Sequence, residues 1–144
     1  MFKERTKTDF LVVHCSATPA DRDIGVREIR QMHLRQGWAD IGYHLVIRRD
    51  GTLEQGRPLN VIGSHVKNWN HCSIGVCLVG GVDSKMKTEA NFTDAQYTTL
   101  RATLADLKKK YPHASIMGHR DFPDVHKDCP SFDLEPWLKR VQLE

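Results

Sequence analysis

The 144-residue sequence has no apolar run near the roughly 20 residues that a membrane-spanning helix needs. Its opening decapeptide, MFKERTKTDF, is charged and lacks the apolar stretch of a secretory signal, so synthesis and folding are expected in the cytoplasm. The four cysteines, Cys15, Cys72, Cys77 and Cys129, form no C-x-x-C pair, and a reducing compartment argues against a disulfide framework. No internal repeat, linker or low-complexity segment interrupts the chain, and no paired-carboxylate arrangement for glycoside hydrolysis can be placed in it. Charge of one sign is also scarce, because 21 basic residues face 18 acidic ones and leave a formal +3. The one basic run, Lys108 to Lys110, reads as the solvated end of a helix, where cations suit the helix dipole, and not as a nucleic-acid surface. With 40% apolar and 27% charged residues, the chain has the composition of a globular domain. At this length one core suffices.

Hydrophobic periodicity gives the elements. The run 10-FLVVH-14 is a buried strand, and 25-GVREIRQMHLRQ-36 places Val26, Ile29, Met32 and His33 on one helical face, stopped by Gly37. A hairpin is expected over 43-YHLVIRRDGTLEQGR-57, turning at Asp50-Gly51, and another buried strand over 73-SIGVCLVGG-81. Thr93 and Gln96 form a capping box that opens the longest helix, with Tyr97, Leu100, Leu104, Leu107 and Tyr111 at helical spacing up to Pro112. A strand over 114-ASIM-117 and a short helix from about Asp133 complete the chain. Strands that alternate with helices, plus one hairpin, imply an α/β fold: a single domain with a mixed central β-sheet flanked by helices. Residues 1–8 form an N-terminal arm and 9–144 the domain.

Ligand sites of open α/β sheets lie beyond the carboxyl ends of strands. His14 ends the first strand and His119 follows the 114–117 strand, so the two imidazoles meet if those strands are parallel near neighbours. Cys129 lies ten residues beyond His119 in a loop stiffened by Pro123 and Pro130. Two histidines, one cysteine and an open fourth position suit a catalytic zinc site. The plainer alternative makes His14 a strand end and Cys129 a small buried hydrophobe. Alternation along the strand turns Cys15 away from His14, so Cys15 and Cys77 are read as core thiols. Cys72, beside a loop, is expected to be exposed and oxidisable. Tyr43 either faces the same edge or fills the core, and Lys127 either approaches a substrate oxygen or is simply solvated. The loop 63-GSHVKNWN-70 offers His65, Trp69 and Asn70 as groove-lining, substrate-binding residues. His44, His71, His113 and His126 are treated as background.

Taken together, 13-VHCSAT-18, 42-GYHLVIRRDGT-52, 63-GSH-65, 74-IGVCLVGG-81, 118-GHRD-121 and 127-KDCPSFDL-134 resemble the zinc-dependent N-acetylmuramoyl-L-alanine amidases. That family includes the peptidoglycan recognition proteins and, most similar to this chain, the small amidase-type lysozymes, or endolysins, of short-tailed bacteriophages. The resemblance implies that His14, His119 and Cys129 bind Zn2+, that Tyr43 and Lys127 are catalytic, and that His65 is a groove residue. It also implies the reaction, hydrolysis of the amide between N-acetylmuramic acid and L-alanine in peptidoglycan, performed by a monomer that reaches the wall after release by a holin. Two neutral imidazoles and a thiolate leave zinc a net +1 charge, enough to acidify water and polarise an amide carbonyl. Lys127 would then stabilise the oxyanion and Tyr43 orient the water. The chain departs from the phage pattern in a shorter arm, in Cys72 and in a longer loop between His119 and Cys129. Two further expectations attach to the resemblance: binding of peptidoglycan without cutting it, and binding of a phage RNA polymerase through the basic arm 2-FKERTKT-8, taken to be free to dock.

Overall fold

Residues 10–15 are β-branched or apolar up to His14, and as strand β1 (Phe10–Cys15) they are buried on both faces from Leu11 onward. The computed structural model describes residues 2–143. After β1 come β2 (Thr18–Pro19), α1 (Val26–Arg35), β3 (Leu45–Ile47) and β4 (Leu53–Gln55). Then follow β5 (Ser73–Leu78), β6 (Gly81–Val82), α2 (Asp94–Lys110), β7 (Ser115–Gly118) and α3 (Leu134–Arg140). Single 3-10 turns span Asn70–Cys72 and His119–Asp121.

The main sheet has the order β4-β3-β5-β1-β7. β1 runs parallel to both β5 and β7, β3 runs parallel to β5, and only β4 is antiparallel, as the hairpin partner of β3. This is the mixed sheet expected from the sequence. β2 and β6 pair separately.

Alternation sorts the side chains. Leu11, Val13, Ile74, Val76 and Leu78 point into a core completed by Leu100, Leu104 and Leu107 of α2 and Trp137 and Leu138 of α3. The opposite face holds Val46, Cys77 and Val79 beneath Val26 and Ile29 of α1 and Ile24 just before it. Further along that face, Val12, Val66 and Phe122 pack with the half-buried Phe10 and Trp69. His14 follows the parity of Val12 and so emerges between these two smaller clusters.

α2 begins where its capping box predicts. Thr93 Oγ1 accepts the Gln96 N–H at 3.1 Å, and Gln96 Oε1 accepts the Thr93 N–H at 3.0 Å. Gln96 is wholly buried, and its Nε2 donates to Ile47 O and Val79 O, which joins the helix start to the ends of β3 and β5.

Three details differ from expectation. Cys72 is buried, with 2% of its surface exposed, because the 3-10 turn that leads into β5 folds it inward. Tyr43 precedes its strand by two residues, since the pairing of β3 begins only at Leu45. The arm is anchored at its near end. The Ile62 N–H donates to Lys3 O at 2.9 Å, the Arg5 N–H donates to Asn60 O at 2.7 Å, and the Arg5 guanidinium meets Leu59 O, Thr8 and the Tyr111 hydroxyl. Phe2 lies over Arg57, 4.4 Å from ring centre to guanidinium carbon.

Candidate functional site

Register brings the two histidines together. Val13 of β1 stands opposite Gly118 of β7, so the next residues, His14 and His119, leave parallel neighbouring strands at the same edge. Their ring centres are 4.6 Å apart. The turn after β7 is held by the Gly118 N–H donating to Asp121 Oδ2, and the Arg120 N–H donates to Cys129 O. This second bond returns the 123–130 loop to the sheet edge. Pro130 packs on Gly118, where an added Cβ would come within 3.0 Å of it. Cys129 Sγ consequently lies 3.8 Å from His14 Nδ1.

Among the described residues, His14, His119 and Cys129 form a group that could hold a metal ion, with one donor atom from each inside a mutual 4.8 Å. Donors arranged about a tetrahedral ion at about 2.0–2.3 Å lie roughly 3.3–3.8 Å apart, so this spacing suits one ion after small adjustments. The donor set, two imidazoles and one thiol, is a zinc set.

Electrostatics favour ligation by the histidines. Burial, then the neighbouring imidazoles of His65 and His119, hold His14 well below its ordinary pKa. His119, half-buried, is lowered to about 4, by burial first and by the Lys127 charge second. Both are therefore neutral at pH 7, as ligands must be. The hydrogen bond shared with the Cys15 thiol, and then burial, push the Cys129 thiol up. The Cys15 N–H, 3.1 Å from Cys129 Sγ, pulls the other way. A cation at the site reverses this balance, because a coordinating thiol is deprotonated outright.

The other expected residues divide. Tyr43 and Lys127 line the same cleft of about 300 Å3 as the three donors. Tyr43 sits with its ring centre 5.1 Å from that of His14, and its phenol is pushed up chiefly by burial, then by nearby thiols. The cleft adjoins a hollow of about 430 Å3 lined by Trp38, Ser64, His65, Lys67 and Asn70, among others. A larger hollow of about 670 Å3 lies behind β7 against α3, away from the donor cluster. His65 reaches the cleft, but its two ring nitrogens are engaged by His14 and Ser73 at 2.8 and 3.2 Å. Asn70 reaches the hollow, and its Oδ1 accepts the N–H groups of His65 and Val66. Trp69 instead packs its ring edge-on against Phe10 at 5.6 Å, within the aromatic cluster beneath the loop.

Two residues passed over in the sequence belong to this region. His44, fully buried, accepts the Gly75 N–H at Nδ1 and donates to Val61 O from Nε2. Ser73, also fully buried, bonds His65 and Trp69 O. Strand alternation puts Ser73 on the His14 face of β5 with Gly75 and Cys77, but it gives no sign of the partners Ser73 finds there and does not mark His44, which precedes β3.

The sequence profile of the N-acetylmuramoyl-L-alanine amidase family matches residues 4–132. The chain belongs to this family. Over 142 residues it is 54% identical to an endolysin of Enterobacteria phage K11 and 53% identical to an endolysin of Escherichia phage T7. Each alignment covers 99% of this chain and 93% of the relative. Among solved amidase structures, the N-acetylmuramoyl-L-alanine amidase LysC from Clostridium intestinale URNW superposes with a TM-score of 0.84 at 27% identity, covering 100% of this chain and 91% of that one. As in other α/β folds, the cleft that holds the three donors opens where strand ends meet, here at the ends of β1 and β7.

Proposed function

We propose that the protein is a zinc-dependent N-acetylmuramoyl-L-alanine amidase that acts as a phage endolysin, cutting the amide between N-acetylmuramic acid and L-alanine in peptidoglycan. The observation that carries this reading is the convergence of His14, His119 and Cys129 within 4.8 Å at the floor of an open cleft. Membership of a family that is generally zinc-dependent, and phage relatives named endolysin, support it.

Zinc held by these three side chains would supply Lewis acidity, polarising the scissile carbonyl and acidifying a water. The protein's own groups do the rest. Lys127 Nζ is on the exposed rim close enough for its charge to depress His14 and His119, so it can stabilise negative charge that develops on the carbonyl oxygen. Tyr43 keeps its phenolic proton at pH 7 and therefore orients a reacting oxygen by donating a hydrogen bond from Oη. His14 and His119 stay neutral throughout. The adjoining hollow, with Trp38 at its rim and Lys67 and Asn70 in its wall, offers stacking and polar contacts to glycan and stem peptide.

Binding without cutting is the weaker reading, since every group that hydrolysis calls for lines one cleft. The test is incubation of the purified protein with purified peptidoglycan, with metal content measured in parallel. Mass spectrometry should find intact stem peptides released and glycan strands uncut, with one zinc per chain. Cys129→Ser should lower metal content and hydrolysis together, because a serine hydroxyl is a poor zinc ligand at neutral pH. New reducing sugar ends, or a Cys129→Ser protein with full zinc and full activity, would overturn the assignment.

A further inference from the structure

A chain of hydrogen bonds leads away from His14 on the side opposite the donor cluster. His14 Nε2 lies 2.8 Å from His65 Nδ1, His65 Nε2 lies 3.2 Å from Ser73 Oγ, and Ser73 Oγ lies 2.8 Å from Trp69 O. Its proton order follows from its last member. A backbone carbonyl only accepts, so Ser73 Oγ–H donates to Trp69 O. The Ser73 lone pair is then left to accept from His65 Nε2–H. His65 Nδ1, deprotonated in that tautomer, accepts from His14 Nε2–H. His14 Nδ1 is thereby left with its lone pair, and Nδ1 is the atom 3.8 Å from Cys129 Sγ.

We infer that His65 and Ser73 are positioning residues that fix the tautomer and ring plane of His14, aiming its Nδ1 lone pair at the place shared by His119 and Cys129. The inference rests on the metal-centre reading above and deepens it. Running the same bonds backwards would take from Ser73 its 2.8 Å bond to Trp69 O and put a proton on His14 Nδ1, where a ligand needs a lone pair. Water cannot substitute for a missing link, because His14, His65 and Ser73 are 1%, 8% and 0% exposed.

The fold makes room for this chain. Val12 and His14 of β1 pair with Gly75 and Cys77 of β5, so Gly75 lies on the His14 face, one step from Ser73 by alternation. A Cβ at Gly75 would come within 2.7 Å of the His65 ring, and one at Gly63 within 2.9 Å of it. His65 is thus seated against two bare stretches of backbone that allow its ring one plane. The side-chain oxygen of Asn70, bonded to the His65 and Val66 N–H groups at 2.8 Å each, pins the main chain behind it.

This arrangement has a chemical consequence. Metal-bound histidines usually hydrogen-bond through their second nitrogen to a carboxylate, carbonyl or water. Here the acceptor is a neutral imidazole, so no second anion lies behind His14, and Cys129 supplies the only negative charge among the three ligands. Both ring nitrogens of His65 are occupied, so its part in the cleft is to hold His14 and not to hydrogen-bond substrate.

The test uses the full chain, free of metal and loaded with zinc, as wild type, His65→Phe, His65→Gln and Ser73→Ala. Zinc affinity is measured by competition with a chromophoric chelator. Imidazole tautomers are read from long-range nitrogen–proton NMR correlations, and thermal unfolding of each metal-free protein reports on its fold. In metal-free wild type, His14 and His65 should both carry their proton on Nε2. His65→Phe should bind zinc about 10–100-fold more weakly, the size of effect typical of lost outer-shell partners. His65→Gln, whose Oε1 can accept from His14 Nε2–H, should recover most of that loss. Ser73→Ala should move part of the His14 population to the Nδ1–H form. A proton on Nδ1 of His14 in the metal-free wild type would overturn the inference, and that result stands even if His65→Phe fails to fold. If wild type binds zinc and a folded His65→Phe binds it equally well, the positioning role falls while the metal centre stands. If wild type binds no zinc, the metal centre falls and this inference with it.

Discussion

His44 is fully buried beside β5, and both of its ring nitrogens are committed: Nδ1 accepts the Gly75 N–H at 3.0 Å and Nε2–H donates to Val61 O at 2.8 Å. Protonation would place an N–H on Nδ1 facing the Gly75 N–H, donor against donor. Burial is the main reason that the His44 pKa falls to about 4, with the Arg5 and Arg57 charges adding to it and the Val61 bond opposing. An unfolded histidine titrates near 6.5. The folded state therefore binds fewer protons than the unfolded one between those values, so His44 contributes stability that is full above about pH 6.5 and lost as pH falls toward 4. A shift from about 6.5 to about 4 corresponds, between pH 7 and pH 4.5, to about 2 kcal/mol lost through this one residue. The perturbation is His44→Gln, compared with wild type by urea unfolding at pH 7.0, 6.0, 5.0 and 4.5, with chelator present so that metal release does not contribute. At pH 7 the variant should be the less stable protein, by about 1–3 kcal/mol, because at least one backbone group loses its partner. That gap should close by about 2 kcal/mol on going to pH 4.5. A gap constant to within a few tenths of a kcal/mol across the range would refute the reasoning, since it would mean that His44 titrates alike in both states.

Other perturbations separate the parts of the site. Lys127→Ala and Tyr43→Phe should each keep wild-type zinc stoichiometry and lower turnover by at least about tenfold in a peptidoglycan digestion assay, because the proposed mechanism has them act on the reacting atoms and not on the metal. Gly75→Ala inserts a Cβ within 2.7 Å of the His65 ring, so it should destabilise the fold by about 1–3 kcal/mol in urea and weaken zinc binding as well. Deleting residues 2–5 removes Lys3 O, the acceptor of the Ile62 N–H, and hydrogen exchange at Ile62 should accelerate by about tenfold or more while exchange in β1 and β5 stays slow.

The sequence was most legible where periodicity and burial agree. β1, β5 and α2 stand where their apolar patterns put them, because a strand covered on both faces and a helix with a capped start each leave a local signature. The meeting of His14 with His119 depends on one further fact, that β1 and β7 are parallel neighbours, and no local signal sets strand order. The roles of Ser73 and His44 were hidden for a related reason. Nothing about a serine at the start of a strand shows that a histidine eight residues earlier folds back over it; that contact exists only because Gly75 leaves the face bare. Cys72 and Trp69 stand elsewhere than their sequence neighbours suggest because a loop that closes with a 3-10 turn folds Cys72 inward and packs Trp69 against Phe10. The arm looked free because an edge bridge between Glu4 and Val61, and an arginine reaching three loop carbonyl and hydroxyl groups, leave no periodic pattern.

The unusual density of histidine around the cleft has a single electrostatic logic. His14, His33, His44 and His65 are buried and His119 half-buried, and burial is the leading cause that lowers the pKa of each. Two of these rings use a deprotonated nitrogen as an acceptor for a fixed donor, His33 for the Gly42 N–H at 2.9 Å and His44 for the Gly75 N–H, and the tautomer inferred above gives His65 the same part toward His14. A histidine used in this way is a neutral polar strut, shorter than glutamine and stiffer. Had any of these positions carried a carboxylate, its charge would have pulled the His14 or His119 pKa upward and competed with Cys129 for the cation. Had any carried a lysine, a second positive charge would have opposed metal entry. Neutral rings avoid both outcomes. They leave one potential anion, the Cys129 thiolate, among the three donors, with the ammonium of Lys127 among the described residues that line the same cleft. Under the proposed mechanism, the charge that develops on a reacting amide would be the strongest unsatisfied charge in such a cleft, which is the condition under which an oriented ammonium and a phenolic donor have their largest effect.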